Sequence, residues 1–368
     1  MTEPMRILFV DDDPAQEDLF LEAVKDWNLE HSEQPFEATV LRSVDEGRAA
    51  LRRERFDAAL FDLKFRAQGG PQLTGNDLAR VSLGDYGIPT GIISGGPGDF
   101  AADIEPRQMI RAFAKTPGAV EEAVAWIGGL WPMLTALASA RQHIRRSEAQ
   151  VFVRRLWPQW VNYPALPDGG TGHLDMIVAR QFAGYIAESL GAEGQPHALW
   201  HPFEAYTFPA ATEHRPHTGD IYELDDQLWV VLTPQCDMAA AKADPVLLAR
   251  CDPAADALLA WQEKATALAK LDAEGKRPAK ATRYFSDLIN QNMPASQHFL
   301  PPLGGQALVV EFKQLKTEPL AKLQGALLLR RASVSSPFLM NLVQRFGAYV
   351  TRPGQPDIDV SYFAAGPG

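Results

Sequence analysis

Short apolar runs alternate with stretches of helical period over the first third of the chain, and one run is central to the pattern. Phe56–Lys64, FDAALFDLK, is apolar on both sides and ends on a carboxylate, Asp62. A strand buried on both faces reads this way, and a buried parallel strand delivers its last side chain to the carboxyl edge of the sheet, where α/β folds place their ligands. Arg6–Val10 (RILFV) runs similarly into Asp11, Asp12 and Asp13. Ile88–Ile93 (IPTGII) runs into Ser94, and Met109–Ala114 (MIRAFA) into Lys115. Ala38–Leu41 supplies a further expected strand. Helices are expected from Pro14 to about Trp27 with Asp13 as cap, over Asp45–Glu54 with Ser43 as cap, over Thr74–Leu83, and over Gly118–Leu130. Five strands alternating with helices imply a doubly wound parallel α/β sheet within residues 1–127.

The expected strand ends bring carboxylates, a hydroxyl and an amine to one edge. Three carboxylates there repel one another unless a cation sits among them. Hard oxygen ligands in a partly hydrated site favour Mg2+. Taken singly, Asp11–Asp13 reads as a solvated turn, Lys115 as a surface lysine and Ser94 as a turn residue; the set carries the chemistry.

The motifs ILFVDDDP, LFDLK, IIS and FAKTP, in that order, resemble the receiver domain of two-component response regulators. The resemblance covers roughly the first third of the chain and implies a flavodoxin-like strand order 2-1-3-4-5 with the site at the switch point. It implies Asp62 as phosphoryl acceptor and metal ligand, with Asp11, Asp12 and the backbone carbonyl of Lys64 completing a Mg2+ site. It also implies that Lys115 pairs with the phosphoryl group and that Ser94 captures it through its hydroxyl. A sensor histidine kinase or phosphotransfer protein is the implied donor, acting in the cytoplasm. Two departures stand out. The family usually has an aromatic residue three positions before the lysine, where this chain has Ala112, followed by Phe113. The loop after Asp62, KFRAQGGPQLTG, is also longer than the family's. The switch is therefore expected to be weaker or to run through another side chain.

Composition narrows the partners. The 368 residues carry a formal net charge of -11, which argues against a general nucleic-acid or anionic-membrane binder. Cys236 and Cys251 form neither a CxxC pair nor a disulfide framework, and no apolar run approaches a membrane span.

Residues 128–160 read as a helical connector. Leu130, Leu137, Ile144 and Val151 recur every seven residues, supported by Leu134 but not by Arg141, Glu148 or Arg155. This half seam reads either as a homodimerising signal helix over 128–156 or as an amphipathic helix packed on its own chain. Arg145, Arg146, Arg154 and Arg155 form a basic face, ordinarily a solvated one.

Residues 161–368 read as an α+β output domain, with a small β-barrel or curled sheet. Expected elements are a helix over Leu174–Leu190, a hairpin of Gly219–Leu224 and Leu228–Thr233, and helices over Asp252–Leu271 and Arg283–Asn290. Strands are expected over Ala307–Phe312 and Ala326–Arg330, with a last helix over Phe338–Val350. The stretch GDIYEL…LWVVLTPQCD is similar, over some fifteen residues, to the opening hairpin of SH3-like barrels of the MazF and PemK group. That similarity carries an alternative function, a phosphorylation-controlled RNA-cleaving effector of a stress or defence module. No catalytic motif stands out in this half. His197, His201, His214, His217 and Cys236 have zinc-binding chemistry on a loose spacing, which ordinary loop histidines explain. Cys236 beside Asp237 at a strand end reads as a small side chain or as a nucleophile near a histidine. Asp220 and Asp237 have no visible pairing as a nuclease site.

Overall fold

In the computed structural model the described residues are 3–65, 74–96, 109–159, 174–192, 200–208, 214–253 and 279–354, with a few isolated positions among the rest. The chain divides into two compact units, Met1–Gly194 and Gln195–Gly368.

The first unit is built on a parallel five-stranded sheet in the order β2-β1-β3-β4-β5. Its strands are β1 (Met5–Val10), β2 (Phe36–Leu41), β3 (Ala58–Asp62), β4 (Thr90–Ser94) and β5 (Ile110–Ala114). This is the flavodoxin-like, doubly wound order expected from the sequence. The helices are α1 (Pro14–Glu30), α2 (Val44–Arg53), α3 (Gly75–Gly84) and α4 (Ala119–Gly129). Their starts follow local chemistry. Asp13 accepts from the Ala15 amide at 3.0 Å, with Pro14 in the first turn. Ser43 accepts from the Glu46 amide at 3.3 Å. At α3 the Asp77 carboxylate reaches back to the Thr74 amide at 2.7 Å.

Each sheet face has its own core. Ile7, Phe9, Leu60 and Phe113 pack with Phe20, Val24, Val120 and Ile127 of α1 and α4. Leu8, Val10, Phe61 and Ile92 pack with Leu51 and Leu78 of α2 and α3. Sheet residues of both cores are mostly buried completely, as a two-faced parallel sheet requires.

A long helix, α5 (Trp131–Val151), follows α4 after Leu130 and continues through a π-helical turn, Phe152–Leu156, to Gln159. Trp131 meets Phe36, the first residue of β2, at 5.5 Å between ring centroids. Arg141 donates to the carbonyls of Tyr86 and Gly87, ahead of β4, at 3.3 Å each. Ten helical residues cover about 15 Å, close to the roughly 14 Å that separates the first and fourth of adjacent strands. The helix thus straps the amino edge of the sheet, opposite the carboxyl edge. Leu134 and Val151 are buried, Leu130 packs on the core and Leu137 is half-buried, which leaves Ile144 as the exposed member of the seven-residue set. A further helix, α6 (Leu174–Ala192), packs against α5 within this unit.

The second unit carries a seven-stranded antiparallel sheet in the order β10-β11-β9-β8-β7-β12-β6. The strands are β6 (Tyr206–Thr207), β7 (Asp220–Leu224), β8 (Gln227–Val231), β9 (Val246–Asp252), β10 (Gln297–Leu303), β11 (Gln306–Glu318) and β12 (Arg330–Val334). Its two end strands meet where the Tyr206 hydroxyl donates to the Pro301 carbonyl at 2.5 Å, so the sheet is a nearly closed barrel. Ile221, Val230, Leu308 and Val310 line one face, which the helix Ser336–Val350 covers with Leu342 and Phe346.

The expected hairpin is present, with Asp225 and Asp226 both at positive φ in its two-residue turn. β9 and β10 were not expected. β9 lies where the sequence gives way to the anticipated Asp252–Leu271 helix, most of which is outside the described residues, and β10 contains Pro301 and Pro302. The strand expected over Ala326–Arg330 is instead a 3-10 turn, Leu327–Leu329, leading into β12. Three consecutive leucines there satisfied an apolar-run criterion that does not distinguish a strand from a turn of helix.

Candidate functional site: an acidic edge with one lysine

Strand periodicity builds the site. Phe9, Leu60 and Phe113 face the same core, and two residues later on each strand come Asp11, Asp62 and Lys115. Alternation therefore keeps all three polar side chains on that face, Asp62 as the last residue of β3 and Asp11 and Lys115 just past the carboxyl ends of β1 and β5. Register brings them level: Val10 pairs with Phe61, Asp62 with Ile93 and Ser94 with Ala114. The Lys115 amide donates to the Ser94 carbonyl at 2.9 Å, which extends the ladder into the site.

Lys115 Nζ donates to Asp11 Oδ2 at 2.9 Å and to Asp62 Oδ2 at 3.3 Å. Asp11 is 1% exposed and Asp62 6%. Oxygen atoms of Asp11, Asp12 and Asp62 lie within 4.8 Å of one another. Burial pushes the Asp11 carboxyl above its ordinary value, although the Lys115 hydrogen bond and the Asp13 amide pull it down. Burial would lower the Lys115 ammonium, but its bonds and attraction to Asp11 and Asp62 outweigh this, and its pKa is raised. The site thus holds its ammonium firmly while its buried acid resists ionising. One lysine does not offset three carboxylates, and a hard divalent cation fits the remaining all-oxygen donor set.

Two supports keep the edge open. Gly75, the first residue of α3, lies so close to the strand end that a Cβ there would sit 1.8 Å from the Asp62 carbonyl oxygen. Gly118, just before α4, has φ +88° and lets the chain turn away immediately after the lysine loop.

Ser94 is buried at the end of β4, and its Oγ accepts from the Gly96 amide at 3.3 Å. Ala112 is exposed on the edge strand, whereas Phe113 is buried on the opposite face against Trp126, 5.9 Å between centroids. Phe113 is a core residue of the sheet. Arg66 and Gln68 of the long loop lie outside the described residues.

In the second unit, Asp220 is fully buried. It accepts from the His217 amide at 2.8 Å, from Arg330 at 3.0 Å and from the Ser333 hydroxyl, a closed set that explains it as structure. His217 and Cys236 line one cavity of about 660 Å3. The His217 Nδ1 lies 2.9 Å from the Thr218 carbonyl, and the Cys236 thiol lies 3.8 Å from Asp237 Oδ1. His201 caps a turn, its Nδ1 accepting from the Phe203 amide at 3.2 Å, and His197 lies outside the described residues. Among the described residues the metal-competent group is the Asp11, Asp12 and Asp62 set, and no histidine or cysteine joins one. No single described helix is long and apolar enough to cross a membrane.

Neither a protein-family model nor a curated protein sequence matches the chain. Solved structures similar to its N-terminal part include a CheY-like response regulator receiver domain protein from Methanospirillum hungatei, 21% identical over 36% of this chain and 98% of that one, TM-score 0.28. A response regulator receiver protein from Sinorhizobium medicae is 19% identical over 36% and 98%, TM-score 0.29. The receiver domain of a sensor histidine kinase from Pseudomonas aeruginosa, which has a magnesium ion coordinated in its active-site cleft, is 17% identical over 34% and 99%, TM-score 0.27. These likenesses are confined to the N-terminal part of the chain.

Proposed function

We propose that residues 1–127 form a phosphoryl-accepting receiver that controls the rest of the chain, making the protein a two-component response regulator. The observation that supports this best is the Lys115 ammonium bridging Asp11 and Asp62 at the carboxyl edge, with Asp12 completing an acidic set. Mg2+ fits these donors, held by Asp11, Asp12, Asp62 and the backbone carbonyl of Lys64; when bound it offsets the charge on incoming phosphoryl oxygens.

Each residue has a definite task in this reading. Asp62 is the nucleophile: a carboxylate oxygen attacks phosphorus in line, forming a P–O bond as the donor's P–N or P–O bond breaks. The leaving group, an imidazole nitrogen of a histidine kinase or phosphotransfer protein, takes the electron pair. Lys115, already ammonium and aimed at Asp62, pairs with the new phosphoryl oxygens. Ser94 turns its hydroxyl from the Gly96 amide to the phosphoryl group, and that capture shifts the loop after β4. The product is an acyl phosphate, which water hydrolyses to reset the switch. With Ala112 in place of an aromatic reporter, the signal passes through the loop after β4 and the lysine loop into α4 and α5.

The partners are a cytoplasmic histidine kinase or phosphotransfer protein and a second copy of the chain. The experiment is phosphorylation of the full chain by acetyl phosphate with Mg2+, read by intact mass. The wild type should gain one phosphoryl group and Asp62→Asn none. Label that persists in the variant would sink the assignment.

A further inference from the structure

The cavity that His217 and Cys236 share lies beside the ends of β8 and β12, against the helix Ser336–Val350. At about 660 Å3 it falls within the ~300–1,000 Å3 of small-molecule sites. Leu232, Val334, Leu339, Met340 and Val343 supply its apolar wall. Among the described residues that line it there is no carboxylate, lysine or arginine.

The protons of its polar wall decide what fits there. A carbonyl or carboxylate oxygen cannot donate, so a hydroxyl bonded to one has committed its only proton. Thr218 donates to the Thr233 carbonyl at 2.7 Å. Ser335 donates to the Glu204 carbonyl at 2.6 Å, and Ser333 to the buried Asp220 carboxylate. His217 Nδ1, 2.9 Å from the Thr218 carbonyl, must likewise carry a hydrogen, which leaves Nε2 of the uncharged ring as an acceptor. All four residues line the cavity and are buried or half-buried. These groups offer lone pairs and no proton.

Donors lie toward the rim instead. Gln235, Ser336 and Gln344 are exposed, and the Cys236 thiol is turned to Asp237 Oδ1 at 3.8 Å. Thr207 adds one half-buried hydroxyl. An anion inside would face several lone pairs with no cation in the wall. A cation would lose its hydration without a counter-charge, because the carboxylate behind Ser333, Asp220, is already held by Arg330 at 3.0 Å. A molecule with no polar group would leave the acceptors unpaired. What satisfies the wall is an uncharged, apolar body with an N–H or O–H at one end.

We propose that this cavity binds a small, uncharged, mainly apolar molecule through an N–H or O–H donor, with His217 Nε2 and the Ser333 and Ser335 oxygens as acceptors. The second unit is thereby a ligand-sensing domain, and the chain carries a second input besides Asp62. Binding needs no phosphoryl group, so it is tested without phosphodonor, and its failure leaves the Asp62 reading untouched.

The test is titration calorimetry of the full chain with diphenylamine, which is apolar, uncharged and carries one N–H. One molecule should bind per chain. Diphenylmethane, the same shape with a methylene in place of the N–H, should bind at least about tenfold more weakly. Diphenylamine sulfonate and benzhydrylammonium, an anion and a cation of similar size, should be weaker by at least the same factor. Val343→Asp sets a carboxylate in the apolar wall at a partly exposed position and should weaken diphenylamine by at least about tenfold. His217→Leu should shrink the preference for diphenylamine over diphenylmethane. Bound diphenylamine should slow alkylation of the exposed Cys236 by iodoacetamide, with the buried Cys251 as internal reference. No binding of diphenylamine overturns the proposal. So does equal binding of diphenylmethane or of either charged compound, binding untouched by Val343→Asp, a preference unchanged in His217→Leu, or alkylation of Cys236 at an unaltered rate.

Discussion

Acidification should loosen the second unit through one side chain, His298. This residue of β10 is 2% exposed and shares a strand face with Leu300, which packs in the barrel core. Its Nδ1 is buried without a hydrogen-bond partner. Burial, with the positive charge of Arg345 as the smaller cause, lowers its pKa to about 3. In the unfolded chain the imidazole titrates near ~6.5. Between those values the unfolded chain binds the extra proton. The stabilising contribution is therefore whole above about pH 6.5 and is lost as pH falls toward the folded value. Each pH unit in that window removes about 1.4 kcal/mol, so going from about pH 6.5 to 5 costs about 2 kcal/mol. Urea unfolding across this range, in the wild type and in His298→Leu, measures it. Leucine joins Leu300, Leu308 and Val310 and removes both the titration and the unpaired nitrogen. The variant should lose this part of the pH slope and be the more stable protein at about pH 5 by at least the same ~2 kcal/mol. An imidazole resonance of His298 that titrates near ~6.5, or equal slopes in both proteins, would refute the reasoning.

Three other outcomes test the site and the barrel. Gly75→Ala should lower stability by about 2 kcal/mol or more in thermal unfolding and abolish phosphoryl uptake, because its Cβ would meet the Asp62 carbonyl oxygen at 1.8 Å and the backbone must move. For Asp11 the folded pKa is raised, so its contribution to stability is present below the unfolded value and lost as pH rises through the folded one. Near neutral pH, Asp11→Asn should therefore raise the unfolding midpoint without divalent cation while weakening Mg2+ binding, read by titration calorimetry, by about tenfold or more. Arg330→Met should cost about 3–5 kcal/mol by leaving the Asp220 carboxylate buried without its cation, and adding Asp220→Asn should recover part of that loss.

The first unit was legible from its sequence because its signals are local and redundant. The two central strands carry apolar runs, ILFV and AALF, that lead straight into Asp11 and Asp62, β4 ends on Ser94 and β5 leads into Lys115, and Asp13 and Ser43 mark helix starts. The barrel was read less well. β9 and β10 carry an arginine and two prolines within short runs, and only their neighbours across the sheet hold them as strands. The same limit applied to Asp220. Read along the chain it is an acid near a hairpin, but β12 brings it Arg330 and Ser333 from more than a hundred residues away and makes it structural.

The sequence by itself determined which chemistry gathers at the edge of the parallel sheet, since a period of two fixes which side chains follow Phe9, Leu60 and Phe113. Tertiary structure alone decided the rest. It set α5 across the amino edge of the sheet and used most of the seven-residue leucine pattern for that packing. It also buried Phe113 on the face away from Ala112. A residue's spacing tells which neighbours share its face; only the packed chain tells what that face meets.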